Sequence, residues 1–196
     1  MILKNTPKYT QTWFVHNIPN WSRFLGYLKF QKDKRFLEIG CFEGMATRWL
    51  METLMTEEDK IEVIDTFKGS IEHLKLNINT NDLLTKFLHN IDNSPNVIIH
   101  QGKSEDILRN NFSRQKEIFD FIYIDGDHHA KNVMKDAVLS WPLLKKGGIL
   151  IFDDYDWRLF KREIDNPFPA INTFCGMWQD EIEVLIKSCQ VILMKI

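Results

Sequence analysis

The 196-residue sequence predicts an α/β fold, a doubly wound seven-stranded sheet that is mostly parallel and has an antiparallel hairpin at its C-terminal edge. Two observations predict this fold. From Arg35 onwards, short and almost continuously apolar segments alternate with amphipathic helical segments, as in parallel sheets buried on both faces. Near the C-terminal end, two β-rich segments follow each other closely enough to pair with each other.

The parallel part of the sheet comes from five apolar segments separated by helices. The segments expected to be strands are RFLEIG, KIEVIDTF, NVIIHQG, FDFIYID and GILIFDD. The first is followed by MATRWLMETL, whose apolar residues lie on one helical face. The second is followed by a helix with apolar residues at the spacing i, i+3, i+4 and i+7, namely Leu84, Phe87, Leu88 and Ile91. The third is followed by SEDILRNNF, which predicts a short helix.

The helix after the fourth strand has the clearest apolar stripe in the chain. The stripe consists of Ala130, Val133, Met134, Ala137, Val138 and Trp141. Pro142 and the pair Gly147–Gly148 mark the passage to the fifth strand. A last helix around Ala170–Trp178 precedes IEVLIKS and QVILMKI, which we expect to form the antiparallel hairpin.

The N-terminal segment differs in composition from the rest of the chain. Residues 5–21, NTPKYTQTWFVHNIPNW, hold four aromatic residues, two prolines and one charged residue. We expect no regular element there, and we assign residues 1–34 to an N-terminal aromatic segment or lid and residues 35–196 to a single domain. The side chains of Trp13, Phe14, His16 and Trp21 could cover a substrate, form a dimer contact or pack on the core.

Composition and charge limit the classes of partner and the cellular location. A net charge of -2 and a pI near 6.3 argue against a nucleic-acid partner. The densest basic run, KFQKDKR at Lys29–Arg35, is broken by Asp33, and we expect it to be a solvated loop. Three scattered cysteines, Cys41, Cys175 and Cys189, predict neither a disulfide framework nor a zinc site. No apolar run reaches the roughly 18 residues of a membrane span, and the N-terminus lacks the apolar core of a signal peptide. We expect a cytoplasmic protein that binds no membrane and could form a homo-oligomer.

The loop EIGCFEG after the first strand has the features of a small-ligand site. Ligands of open α/β sheets bind at the carboxyl ends of the strands. Gly40 and Gly44 permit a tight turn and a close approach of ligand to backbone. Phe42 stands where a dinucleotide fingerprint requires glycine, which argues against NAD or FAD and favours a ligand without a diphosphate.

Polar residues at the next two strand ends extend this pattern. Asp65 ends the second strand, and its carboxylate could accept hydrogen bonds from both hydroxyls of a ribose. Ser104 and Glu105 follow the third strand and could meet an adenine edge. An aspartate at a strand end is often only a turn residue, but the ordered series of polar residues indicates a nucleoside ligand.

The segment FIYIDGDHH places four titratable residues directly after the fourth strand. Asp125 ends that strand and Asp153–Asp154 end the fifth, so three carboxylates could converge and bind Mg²⁺, Ca²⁺ or Mn²⁺. Alternatively, Asp153 and Asp154 satisfy loop amides, and Asp125 orients a cofactor without any metal. We expect Asp127 to be the N-cap of the following helix and His129 to be a first-turn surface residue.

Four stretches, FLEIGCFEG, VIDTF, GKSED and DFIYIDGDHH with LLKKGGILIFDDY, resemble class I S-adenosylmethionine-dependent methyltransferases. More specifically, the chain resembles the methyltransferase 24 family, which contains enzymes like small-molecule O-methyltransferases. The resemblance covers roughly residues 12–196. It implies a Rossmann-like sheet whose last strand is antiparallel and S-adenosylmethionine as the cofactor. It places Glu38 at the amino-acid end of the cofactor, Gly40 and Gly44 beside its methionine part, Asp65 at its ribose and Ser104 by its adenine.

The resemblance also implies a site for activating the acceptor. Catechol-type and macrolide-sugar O-methyltransferases are similar here, and they place a metal at the positions of Asp125, Asp153 and Asp154, where it lowers the pKa of the acceptor hydroxyl. The catechol type has a lysine shortly after the first aspartate, whereas this chain has His128, as the sugar-modifying relatives do. We therefore predict His128, with Asp125 beside it, as the general base for O-methylation of a sugar or natural-product hydroxyl.

Two alternatives remain open from the sequence. Relatives named as cephalosporin hydroxylases resemble the carboxylate–histidine cluster, so a metal-dependent oxidoreductase is the first. Its two-histidine iron triad would need His129 or His16 to join His128, and their spacing does not predict that. The second is a catalytically silent module that only binds the cofactor.

Overall fold

The computed structural model describes residues 3–70, 73 and 75–196, and its seven strands form one sheet in the order β3-β2-β1-β4-β5-β7-β6. The strands are β1 Arg35–Ile39, β2 Lys60–Asp65, β3 Val97–Gln101, β4 Phe119–Ile124, β5 Leu144–Phe152, β6 Ile182–Lys187 and β7 Val191–Lys195. β1 to β5 are parallel, whereas β7 pairs antiparallel with both β5 and β6. The predicted Rossmann-like sheet with an antiparallel C-terminal hairpin is confirmed.

Six helices of the described residues cover the two faces of the sheet. They are α1 Ile18–Leu25, α2 Met45–Thr53, α3 Leu83–Asn90, α4 Ser104–Asn111, α5 Ala130–Ser140 and α6 Pro167–Met177. Helices α1 to α3 contribute to one hydrophobic cluster and α4 to α6 to the other. None of these helices has the length and apolar character that a bilayer crossing requires.

The central strand β4 shows why the strand sequences are apolar without interruption. Phe121 and Tyr123 belong to the cluster under α1 to α3, whereas Ile122 and Ile124 belong to the cluster under α4 to α6. Successive side chains of a strand point to opposite faces, so both sets are buried when helices cover both faces.

The expectation of an irregular N-terminal segment is wrong for its second half. A 3-10 turn, Trp13–Asn17, leads into α1, where Pro19 lies in the first turn and needs no N–H donor. Trp21 of α1 is fully buried and packs edge-on against Tyr123, with ring centroids 4.8 Å apart. Trp13 stays 45% exposed. The aromatic segment therefore contributes to the core of the sheet.

Two further expectations about exposure are corrected. In the basic run KFQKDKR, Lys34 is buried, and its Nζ lies 2.9 Å from Oδ2 of Asp59, whose side chain is buried as well. In α5, Val138 of the predicted stripe is 41% exposed, whereas Asp136 and Ser140 are buried. The Ser140 hydroxyl donates to the Asp136 carbonyl oxygen over 2.6 Å, which satisfies one of these buried polar groups within the helix.

Candidate active site

The loop between β1 and α2 is held in a shape that only glycine permits at two positions. Gly40 has a φ of +83°, and a Cβ there would lie 2.1 Å from the carbonyl oxygen of Asp125. Gly44 has a φ of +81° and directly precedes α2, and a Cβ there would lie 2.8 Å from the ring of Phe87. The first glycine therefore brings this loop into direct contact with the end of β4.

A stack of three rings lies on this loop. Phe42 has a positive φ of 46° and stacks almost parallel on His73, with ring centroids 4.8 Å apart. Trp13 from the N-terminal segment stacks on Phe42 at 5.4 Å. The position that a dinucleotide-binding loop leaves open for a pyrophosphate is thus filled by aromatic side chains.

Asp65, at the end of β2, binds the same loop through its carboxylate. Oδ2 accepts the backbone N–H groups of Cys41 at 2.9 Å and Phe42 at 3.1 Å, and Oδ1 accepts that of Phe67 at 2.7 Å. A carboxylate offers about four acceptor positions, so about one is left for a further donor. Asp65, which is predicted to bind the ribose, therefore also shapes the glycine loop.

Ser104 and Glu105 begin α4, on the side of the sheet that faces α5. Glu105 Oε2 lies 2.6 Å from Lys135 Nζ, and Oε1 lies 3.3 Å from a guanidinium nitrogen of Arg109. The ammonium group of Lys135 lowers the pKa of the Glu105 carboxyl. Ser104 forms a hydrogen bond with the buried Asp136, whose pKa burial raises to about 7.

Glu38 is buried in β1 beneath the glycine loop. The hydroxyl of Thr47 donates to Glu38 Oε2 over 2.6 Å. Burial, against the opposing hydrogen bond from Thr47 and with the help of the nearby Asp125 and Asp65, raises the pKa of Glu38 to about 8. Glu38 is thus mainly protonated at neutral pH and can donate as well as accept a hydrogen bond. Sequence reasoning missed Thr47, which has no signal beyond its place in the first turn of α2.

Glu43 is a second buried carboxylate of the loop that the sequence analysis missed. It accepts the backbone N–H of Thr10 at 2.6 Å and the hydroxyl of Thr10 at 2.8 Å. Lys86 of α3 lies 3.2 Å from the same carboxylate. These contacts attach the N-terminal segment to the glycine loop.

Asp125, His128 and Asp154 form a cluster at the ends of β4 and β5. Each offers one ligand atom, and these atoms all lie within 4.8 Å of one another. His128 Nε2 lies 2.6 Å from Asp154 Oδ2 and 3.9 Å from Asp125 Oδ1. The three side chains keep exposures of 34%, 20% and 29% in chain order, so solvent reaches them. Two carboxylate oxygens and an imidazole nitrogen are a donor set that fits a divalent cation.

Asp153 lies beside this cluster without belonging to it. The hydroxyl of Tyr123 forms hydrogen bonds with Asp153 Oδ2 and, over 3.0 Å, with Asp125 Oδ2. Asn17 Nδ2 also donates to Asp153 Oδ2, over 3.2 Å, and the backbone N–H of Asp154 donates to Oδ1 over 2.8 Å. Of the residues predicted as metal ligands, the structure thus brings Asp125 and Asp154 together with His128 and pairs Asp153 with a buried tyrosine.

The carboxyls of Asp125 and Asp153 hold their protons more tightly than aspartates in water. Burial raises the pKa of Asp125 well above its usual range, and the neighbouring Asp153 adds to the effect. Burial and the neighbouring Asp154 raise the pKa of Asp153 as well. Burial also raises the pKa of Tyr123. A phenol can donate only one proton at a time, so a proton retained by one of the two carboxyls can complete the second hydrogen bond.

The N-cap of α5 lies two residues after the expected Asp127. The N-cap is His129, with an extended backbone and no capping side chain, and not Asp127. Asp127 Oδ1 instead accepts the backbone N–H of His129 over 2.8 Å, and Oδ2 accepts the side-chain amide of Asn132 over 2.9 Å. This is an Asx-type turn, in which the aspartate organises the chain before the helix begins.

Aromatic residues from the loop after β5 cover the cluster. The Trp157 ring lies 4.9 Å from that of His128, and the Phe160 ring lies 4.6 Å from Trp157 and 4.0 Å from His129. A cavity of about 440 Å³ opens beside His129 between α5 and α6, with Met134 and Ala170 among its lining residues. The side chains that cover the cluster therefore come from a loop whose sequence carries no recognisable motif.

Comparison with known proteins shows the family to which the chain belongs. The family model of the methyltransferase 24 family, described as "Methyltransferase domain", matches residues 37–155, which is more than half of the chain. The chain belongs to this methyltransferase family.

Relatives and a solved structure extend the similarity. "Uncharacterized protein R132" of Acanthamoeba polyphaga mimivirus is 30% identical over 149 residues, which are 73% of this chain and 60% of that protein. "Probable caffeoyl-CoA O-methyltransferase 3" of Dictyostelium discoideum is 24% identical over 195 residues, 94% of this chain and 72% of that protein. The MycE methyltransferase of the mycinamycin biosynthetic pathway, solved with Mg, S-adenosylhomocysteine (SAH) and mycinamycin VI, superposes with a TM-score of 0.65 at 16% identity. That match covers 96% of this chain but spans only half of MycE.

Proposed function

We propose that the protein transfers a methyl group from S-adenosylmethionine to a hydroxyl oxygen of a small molecule of the sugar or natural-product type. The observation that carries this proposal is the contact of Gly40 with Asp125, which brings the glycine loop against the end of the carboxylate–histidine cluster. Methyl transfer is an in-line displacement and needs donor and acceptor side by side. Such alignment can supply roughly 7–11 kcal/mol of the barrier.

The cofactor would lie over the glycine loop. Gly40 and Gly44 would flank its methionine part, and the protonated Glu38 would lie near its amino-acid end. Asp65 would use its remaining acceptor position for a ribose hydroxyl. Ser104 and Glu105 would meet the adenine edge from the start of α4.

His128 is proposed as the general base, with Asp125 beside it. Its Nε2 lies 2.6 Å from Asp154 Oδ2, so the acceptor hydroxyl would enter at this contact. When bound, S-adenosylmethionine would supply the methyl group, and displacement of its sulfur by the acceptor oxygen would leave S-adenosylhomocysteine. The acceptor hydroxyl would displace Asp154 Oδ2 from Nε2 and pass its proton to that nitrogen, and the adjacent Asp154 carboxylate would stabilise the imidazolium that forms.

A divalent metal is the second component of the proposal. Asp125 and Asp154 belong both to the ligand set expected from sequence and to the cluster found in the structure. The third ligand is Asp153 in the set expected from sequence and His128 in the cluster of the structure. His128 is available as a general base only if Asp153 is the third ligand. When bound, Mg²⁺ would lower the pKa of the acceptor hydroxyl. MycE, whose solved complex contains Mg, supports this part of the proposal.

Thermal unfolding with SAH, repeated with EDTA and with Mg²⁺, tests the cofactor and the metal. SAH at about 100 times its dissociation constant stabilises the folded state by about 2.7 kcal/mol, a shift of roughly 5–10 °C for a domain of this size. A further shift that needs Mg²⁺ supports the metal site. Absence of any SAH shift in folded protein contradicts the methyltransferase proposal.

A second experiment tests the base and separates the alternatives. His128→Ala should abolish most methyl transfer to a panel of hydroxyl acceptors while leaving the SAH shift intact. Equal behaviour of the two proteins would favour the catalytically silent module. The oxidoreductase is not favoured, because His129 Nδ1 lies 2.7 Å from Asp127 Oδ1 and its ring stacks on Phe160, both outside the cluster. A cytoplasmic location and the absence of a nucleic-acid partner stay predictions.

A further inference from the structure

We propose that Tyr123 and Asn17 are positioning residues, which fix the carboxylates of Asp125 and Asp153 in the orientation that the active centre uses. This inference rests on the proposed function and assigns a role to two residues that are predicted neither as cofactor ligands nor as the general base. Asn17 belongs to the N-terminal segment, which would thereby become part of the active centre formed by Asp125, His128, Asp153 and Asp154.

Tyr123 determines which oxygen of Asp125 faces the cluster. It lies two residues before Asp125, so both side chains point to the same face of the sheet. Its hydroxyl holds Asp125 Oδ2 at 3.0 Å, and the other oxygen, Oδ1, is the one that lies 3.9 Å from His128 Nε2. Asp125 therefore presents a single oxygen to a cation or to the imidazole.

The same hydroxyl links Asp125 to Asp153 through their Oδ2 atoms. Asp153 Oδ1 accepts the backbone N–H of Asp154, so both of its oxygens have fixed donors. A buried tyrosine needs only one partner to satisfy its hydroxyl, and this one connects the ends of β4 and β5. This link sets the spacing of the carboxylates on which the cluster depends.

Asn17 donates to the same oxygen of Asp153 that Tyr123 binds. It is buried in the 3-10 turn before α1, and its Nδ2 donates to Asp153 Oδ2 over 3.2 Å. Its Oδ1 lies 3.8 Å from Cys189 Sγ in the turn between β6 and β7. The N-terminal segment and the C-terminal hairpin thus close around one carboxylate.

The ring of Tyr123 is buried and packed against neighbouring side chains. Trp21 packs on it at 88°, and the Trp21 indole N–H donates to Gln190 Oε1 over 2.9 Å. Trp21, Tyr123 and Gln190 are all at most 1% exposed. Partners of metal ligands that are locked in this way typically contribute 10–100-fold to metal affinity or activity.

The variants Tyr123→Phe and Asn17→Ala test the proposal in protein saturated with SAH. Tyr123→Phe keeps the ring against Trp21 and removes only the hydroxyl. The matched control is Tyr27→Phe, because the Tyr27 hydroxyl donates to the Gly147 carbonyl, over 3.1 Å, outside the centre. Binding of Mn²⁺ is measured from the electron paramagnetic resonance signal of the free ion, and folding is checked by circular dichroism.

We expect Tyr123→Phe and Asn17→Ala to weaken Mn²⁺ binding about tenfold or more, with SAH affinity unchanged and Tyr27→Phe like the unmodified protein. Should the unmodified protein bind SAH but no Mn²⁺, a lower kcat at unchanged KM in Tyr123→Phe supports the proposal. Unchanged Mn²⁺ binding and kcat in folded Tyr123→Phe overturn it. Failure of the unmodified protein to bind SAH contradicts the proposed function itself, and this inference with it.

Discussion

The carboxylate of Asp65 accepts the backbone N–H of Cys41 over 2.9 Å, so the end of β2 is joined directly to the glycine loop that follows β1. The N–H groups of Phe42 and Phe67 point at the same carboxylate. Three backbone N–H groups thus hold the glycine loop and the residues after β2 to one carboxylate.

Replacing Asp65 should affect both folding and cofactor binding. Asp65→Ala removes three hydrogen bonds to a carboxylate and leaves backbone N–H groups without that acceptor. We expect the free energy of unfolding to fall by roughly 2–4 kcal/mol, as urea denaturation would measure, and SAH affinity in calorimetry to fall with it. The exposed Asp156→Ala serves as control and should change neither quantity. Full SAH affinity in folded Asp65→Ala would contradict the ribose assignment.

Gly40→Ala should disrupt the contact between the loop and β4. The new Cβ would lie 2.1 Å from the Asp125 carbonyl oxygen, at a residue with positive φ. We expect a loss of at least about 2 kcal/mol in unfolding free energy and weaker SAH binding. Gly26→Ala is the matched control, because Gly26 has a φ of -56° and no atom within 4 Å of the added carbon. It should be neutral or stabilising by up to about 1 kcal/mol, and equal losses in both variants would contradict this account.

Glu38→Gln should change how stability depends on pH. The pKa of Glu38 rises from 4.5 to about 8 on folding, so the folded state binds this proton more tightly than the unfolded state. Its contribution to stability is complete below the unfolded pKa and is lost as the pH rises towards about 8. The amide of the variant removes this dependence and keeps an oxygen for the Thr47 hydroxyl.

The two proteins are compared by urea unfolding at several pH values between 4.5 and about 8. Relative to Glu38→Gln, the unmodified protein should lose up to about 1.4 kcal/mol per pH unit across this range. Asp136, whose pKa is also raised, titrates in both proteins and cancels in the difference. Parallel stability curves would show that Glu38 is ionised in the folded protein.

The buried ion pair of Lys34 and Asp59 gives a prediction far from the centre. Lys34→Met leaves the Asp59 carboxylate buried without its cation, which typically costs about 3–5 kcal/mol. The neighbouring Lys32 is exposed, so Lys32→Met should change the free energy of unfolding by no more than about 0.5 kcal/mol. Chemical denaturation of the two variants measures the difference, and SAH affinity should be unaffected in Lys32→Met. A loss of unfolding free energy in Lys34→Met as small as that expected for Lys32→Met would show that Lys34 is solvated.

The sheet could be predicted because its strands are buried on both faces. Phe121, Ile122 and Tyr123 are apolar in sequence because each lies in one of two core clusters. The tight turn of the glycine loop could also be predicted, because the positive φ of Gly40 and of Gly44 is a local requirement that only glycine meets without strain. Local rules of this kind can be read from one sequence.

Features that depend on contacts distant in sequence could not be predicted. α1 was missed because the burial of Trp21 depends on Tyr123, about a hundred positions later in the chain. Lys34 was taken for a solvated residue because its partner Asp59 belongs to another segment. Asp153 was expected beside Asp125 and Asp154 as a metal ligand, because its hydrogen bonds with Tyr123 and Asn17 join residues distant in sequence and have no local signal.

The hydrogen bond from Trp21 to Gln190 joins positions 169 residues apart. A ribosome makes the chain from its N-terminus, at about 5–20 residues per second, so the Trp21 indole waits several seconds or longer for its acceptor. Asn17 likewise has no Asp153 to bind until β5 has been synthesised, which happens after β1 to β4. The glycine loop and the ends of β1 and β2 can therefore associate on the nascent chain before Asn17, Tyr123 and Asp153 are joined.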